Sequence, residues 1–128
     1  MNKITLDVGT EEGSDDLTLL LFIDGTEFRR IILDNSNAAV FYNLADSLQG
    51  TGAYLIFTCV CGVADCGGWD KVHVVHNDNN VTWTFSFNGK QHVFRFFIDN
   101  YKDEIFKMQQ RLDSEKIILQ PQFATDPE

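Results

Sequence analysis

The chain has 128 residues, 44% of them hydrophobic and 12% aromatic, with eleven phenylalanines. That is the size of one ordinary domain, and the composition excludes a chain too polar to build a core. Nineteen acidic residues against ten basic ones leave a formal charge of −9, a field that repels phosphate backbones and anionic membrane surfaces and so argues against direct contact with nucleic acid or membrane.

The same field attracts a basic protein, although negative charge also simply keeps a small domain in solution. Residues 1–16 are polar and acidic, with Asp7, Glu11, Glu12, Asp15 and Asp16, and do not read as an export signal. The longest apolar run, Leu19–Ile23, is too short to span a bilayer. Three cysteines cannot pair completely, which points to a reducing cytoplasm. The chain is expected to be a cytoplasmic protein with a single α+β domain over 1–119 and an extended tail over 120–128, where both prolines, Pro121 and Pro127, fall.

Taken in order, Gly9–Asp16 reads as a polar loop. Leu17–Ile23 is apolar at nearly every position, as in a strand covered on both faces. Asp24-Gly25 is a two-residue hairpin turn, with Thr26–Leu33 as the partner strand. Asp34-Asn35-Ser36 offers N-cap oxygens to a helix over about 36–49, where Phe41, Leu44, Ala45 and Leu48 share a face and Gly50 and Gly52 end it. Ala53–Cys59 is a strand that runs into a glycine-rich turn, Cys61–Gly68. A three-strand meander follows over 71–77, 81–87 and 91–98. Asp99 or Asn100 caps a last helix over 99–114, with Tyr101, Ile105, Met108 and Leu112 on one face. The expected fold is α+β, an antiparallel sheet of about six strands with two helices packed on it.

The turns of the meander set a register. With Asn88-Gly89 as a two-residue turn, Phe87 faces Lys90, Phe85 faces His92, Trp83 faces Phe94 and Val81 faces Phe96. With Asn77–Asn80 as a four-residue loop, His76 faces Val81 and Val74 faces Trp83. Val72, Val74, Val81, Trp83, Phe85, Phe94 and Phe96 then form one apolar face for the helices.

The centre of chemical interest is the run Cys59-Val60-Cys61-Gly62-Val63-Ala64-Asp65-Cys66-Gly67-Gly68-Trp69. Cys59, Cys61, Cys66 and His73 could supply four zinc ligands, but the spacing is not that of a zinc knuckle, and Cys59 and Cys61 on an extended chain point to opposite faces. The plainer reading makes the cysteines small apolar residues packing a tight turn that Trp69 closes against the sheet. A thiol enzyme with Cys66 as nucleophile is a further reading. It lacks an assembled base, because His73 points away from His76 and His92, and those two lie about 13 Å apart along the ladder. Gly62 and Gly67-Gly68 are not followed by the Lys-Ser/Thr of a phosphate loop. No catalytic residue is nominated, and no cofactor is required, with zinc the one candidate.

The pattern Phe57-Thr58-Cys59-x-Cys61-Gly62-x3-Cys66, then Val81-Thr82-Trp83, then Phe94-x-Phe96 before a C-terminal helix, resembles a set of small uncharacterised bacterial proteins. The resemblance spans roughly Ala53–Leu112. Size and acidity also resemble bacterial immunity proteins, which bind and neutralise a cognate toxin. That resemblance implies a non-enzymatic binding protein for a basic toxin partner, and the acidic charge pattern makes Glu11, Glu12, Asp15, Asp16 and, at the meander turn, Asp78 the candidate partner-binding residues. A zinc-stabilised domain and a thiol-dependent enzyme are the alternatives.

Overall fold

A computed structural model describes residues 1–10, 15–59 and 69–122. Its fold is α+β, and the strand ladders are antiparallel. β1 (Ile4–Thr10) and β2 (Leu17–Ile23) pair from Ile4 opposite Ile23 to Thr10 opposite Leu17. Asp24 and Gly25 turn the chain at φ 53° and 82°, the paired positive values that a tight hairpin of right-twisted strands requires.

The partner strand expected over Thr26–Leu33 is cut short. β3 is only Thr26–Glu27, because the Glu27 carboxylate accepts the backbone N–H of Arg29 and caps a single helical turn, α1 (Phe28–Ile31). The turn carries Phe28 into the core, stacked on Phe57 with ring centroids 4.8 Å apart.

The helix expected over 36–49 also begins later. β4 (Asn37–Ala39) comes first, then α2 (Phe41–Asp46), which tightens into a 3-10 turn over Ser47–Gln49. Asp34 does not cap α2; its Oδ1 accepts the N–H of Ser36 at 2.9 Å and closes a local turn. The single strand expected over Ala53–Cys59 divides in two. The Ile56 N–H turns back to the Tyr54 carbonyl at 3.0 Å, so that β5 (Gly52–Tyr54) and β6 (Phe57–Cys59) join different ladders. Gly9 and Thr10 belong to β1 rather than to a loop.

The meander is formed by β7 (Val72–His76), β8 (Asn80–Phe87) and β9 (Lys90–Phe97). Every pair expected from its two turns is present, Trp83 opposite Phe94 and Val74 opposite Trp83 among them. Asn88 and Gly89 take φ 51° and 74°. Instead of one six-stranded sheet, the described strands make three sheets, β1-β2-β3, β4-β6 and β5-β7-β8-β9. Val72, Val74, Val81, Trp83, Phe85 and Phe96 are buried on one side of the largest, with Phe94 half-buried. The opposite side is left to solvent, as is common for an antiparallel sheet.

α3 (Ile98–Glu115) buries Tyr101, Ile105, Met108 and Leu112, the stripe expected of it. Its entry residue is Phe97, with no side-chain cap, because Asn100 is used elsewhere. Asn100 Oδ1 accepts the Ile4 N–H at 2.9 Å, and Asn100 Nδ2 donates to the Ile4 carbonyl at 3.1 Å. One turn later, Glu104 accepts the Leu6 N–H at 3.0 Å. Side chains of α3 thus satisfy the outer edge of β1, which would otherwise offer unpaired N–H groups to another chain. Beneath them runs a buried relay. Trp83 Nε1 donates to the Tyr101 hydroxyl at 3.1 Å, Tyr101 donates to Ser47 Oγ, and Ser47 donates to the Leu44 carbonyl. No helix among the described residues is long and apolar enough to cross a membrane.

Candidate functional site

Two regions were singled out by the sequence, the cysteine turn and the acidic residues. The turn leaves β6 at Cys59 and returns to the core at Trp69. Phe57, two residues before Cys59, lies on the inner side with its ring centroid 5.1 Å from Trp69, 5.3 Å from Phe85 and 5.8 Å from Trp83. Trp69 is buried, stacks on Phe87 at 4.4 Å, and donates its indole N–H to Asn37 Oδ1 at 2.6 Å. Its packing on the sheet is the placement expected of it. Asn37, itself buried, is also the ladder partner of Cys59. Cys59 and Trp69, which flank residues 60–68 in the sequence, are therefore both held by one residue of β4.

Cys59 is a free, half-buried thiol. Cys61 and Cys66 lie outside the described residues. His73 is exposed on the outer side of β7, between Ala53 and Thr84 on the neighbouring strands. Cys59 shares the inner side of its strand with Phe57, so the fold does not bring His73 to it. Among the described residues, no three of His, Cys, Asp or Glu are grouped as metal ligands.

The other histidines are occupied. His76, half-buried, donates Nε2–H to the Ser47 carbonyl at 2.7 Å. His92 is buried, with its ring stacked on Phe85 at 5.1 Å. Burial holds its imidazole below the ordinary value, helped by the nearby charge of Lys90. A neutral imidazole wedged between aromatic rings suits packing better than proton transfer.

The acidic residues divide by position. Asp15 and Asp16 are exposed at the Leu17 end of β2. There, Leu17 bridges Leu119, and the Gln120 N–H reaches the Leu17 carbonyl at 2.8 Å, which draws the start of the expected tail onto the domain. Glu11 and Glu12 lie outside the described residues. Asp78 is exposed in the β7–β8 turn, next to Asn79, whose carbonyl accepts the N–H of Ile98 at the start of α3. α3 runs along β1 in the same direction, with Asn100 at Ile4 and Arg111 at Asp7. Asp78 thus stands at the Ile4 end of the hairpin and Asp15 and Asp16 at its other end, about 20 Å along the strand.

Along that flank, Arg111 donates to Asp7 Oδ1 at 2.8 Å and to Glu115 Oε2 at 3.2 Å. The Arg111 hydrogen bond, followed by that of the Val8 N–H, holds the Asp7 carboxyl below its usual range. Glu104, Lys107, Met108, Arg111 and Leu6 line a depression of about 230 Å³ between β1 and α3. The bond between Leu6 and Glu104 joins residues far apart in the chain, so no local sequence signal marks it. No protein-family model, curated protein or solved structure matches this chain.

Proposed function

We propose that the chain is a non-enzymatic acidic binding protein that docks a basic protein partner, in the manner of an immunity-type inhibitor masking a cationic toxin. The observation that carries this reading is the excess of nine negative charges on a domain of this size, with Asp15 and Asp16 exposed at one tip of the β1–β2 hairpin. Glu11 and Glu12 adjoin them in the sequence, and a carboxylate cluster of that kind raises encounter rates with a cationic groove. Asp78 stands apart and belongs to a second contact if it contributes. The odd number of thiols fits a reducing cytoplasm. The test is binding of the intact chain to the basic product of a neighbouring gene at low salt. A complex that weakens steeply with added salt is expected, and no complex at low salt would count against the reading.

A second reading is a zinc-stabilised turn. What favours it is that Cys59 and Trp69, which flank Cys61 and Cys66 in the sequence, are both held by Asn37. Metal analysis of the purified chain decides it, because a structural site retains its ion through purification. Near-stoichiometric zinc supports the site, and metal-free, fully folded protein removes it.

A further inference from the structure

α1 is one turn long and ends in an unusual way. Arg29 and Arg30 sit in its last turn, where basic side chains answer the helix dipole. The Asp34 N–H returns to the Arg29 carbonyl at 3.0 Å, a helix-ending motif that sets the intervening residue in the left-handed region. Glycine is the usual residue there, yet this chain has Leu33, at φ 59°. Its side chain is 87% exposed, so no burial offsets the backbone strain.

A single exposed leucine is ordinary, but one held in a strained conformation in water suggests a functional surface. Leu33, Arg29, Arg30 and Asn35 line an open depression of about 540 Å³. The Arg29 guanidinium is engaged by the Glu27 carboxylate. Arg30 is exposed and has no ion-pair partner among the described residues. On a chain of net charge −9, Arg30 is thus an exposed cation beside an apolar side chain, with the Glu27 charge already engaged by Arg29 and Asp34 following Leu33 in the sequence.

We infer that the Arg30–Leu33 depression is a docking surface for an acidic peptide segment of a partner protein, with a carboxylate on the Arg30 guanidinium and a neighbouring apolar side chain on Leu33. Charge complementarity selects that occupant. A guanidinium fork matches a carboxylate in two parallel hydrogen bonds, and an apolar contact next to it excludes water. This surface follows β3, at the opposite end of β2 from Asp15 and Asp16. It asks for anionic groups where those residues ask for cationic ones, so it does not rest on the proposed function.

The test uses the intact, isotopically labelled chain and a blocked peptide of alternating Glu and Leu, followed by amide NMR shifts. Saturable shifts confined to Arg29–Asn35 are expected, with affinity lowered about tenfold by Arg30→Glu. Leu33→Gly is expected to weaken binding several-fold while raising the melting temperature, which separates loss of contact from loss of fold. Absence of saturable shifts at millimolar peptide, or affinity unchanged by Arg30→Glu, would overturn the proposal. Equal binding there of the Lys-Leu counterpart, or of inorganic phosphate alone, would also overturn it, as would the same shifts appearing without peptide as the protein is concentrated, which would make the occupant a second copy.

Discussion

The indole N–H of Trp69 donates to Asn37 Oδ1 at 2.6 Å, and Asn37 is also the residue across the ladder from Cys59. One buried residue therefore holds both flanks of the cysteine segment, Cys59 through the backbone ladder and Trp69 through its side-chain amide. Asn37 Nδ2 reaches the Asp34 carbonyl at 3.4 Å, which fixes the amide's orientation and leaves its oxygen for the tryptophan.

Asn37→Leu removes the acceptor and strands a buried indole N–H. A loss of about 1–3 kcal/mol is expected, read from urea unfolding. Because the stems separate, Cys59 is expected to react faster with a disulfide reagent in this variant than in the parent chain. Unchanged stability and unchanged thiol rate would show that the stems are held by stacking alone.

The Trp83–Tyr101–Ser47 relay makes a second prediction. Tyr101→Phe leaves Trp83 Nε1 and Ser47 with one partner fewer in a dry core, and a loss of about 1–3 kcal/mol is expected. Burial pushes the Tyr101 phenol up to about 12, while its hydrogen bonds with Ser47 and Trp83 oppose that rise. The unfolded chain gives up this proton near 10 and the folded chain does not. The stability contributed is therefore whole below pH 10 and declines as pH rises from 10 toward 12. Unfolding measured across alkaline pH, with and without Tyr101→Phe, isolates that slope.

His92 works in the opposite direction. Burial depresses its affinity for a proton, so the unfolded chain binds that proton first as pH falls. Stability is full above the ordinary histidine value of 6.5 and is lost as pH drops below it toward the folded value. His92→Phe keeps the ring against Phe85 and is expected to flatten the slope of stability between neutral and mildly acidic pH. Urea unfolding over that range measures it.

What was legible in the chain and what was not follows from where the hydrogen bonds go. Asn88-Gly89 and Asn77–Asn80 are local signals that fix strand register by themselves, and the pairs from Phe87–Lys90 to Val74–Trp83 follow from them. β1 was hidden because its edge is satisfied by Asn100 and Glu104 of a remote helix, residues that read locally as helix-start signals. The strand after Asp24-Gly25 is shorter than its pattern indicates because Glu27, an ordinary polar strand residue by pattern, caps a helix instead. At the candidate site, the role of Trp69 was visible from the glycines before it, whereas Asn37 gave no sequence signal of receiving it. The acidic residues were legible as charge but not as a surface, since position in the chain does not show that Asp78 and Asp15 stand at opposite ends of a hairpin.

The association rate of the intact chain with the basic protein proposed as its partner, measured by stopped flow against salt concentration, tests the central claim most directly. Acid-steered docking predicts an on-rate that falls about tenfold or more from low to high salt, and a comparable fall at low salt on substituting Asp15→Lys with Asp16→Lys. An on-rate indifferent to both salt and charge reversal would contradict it.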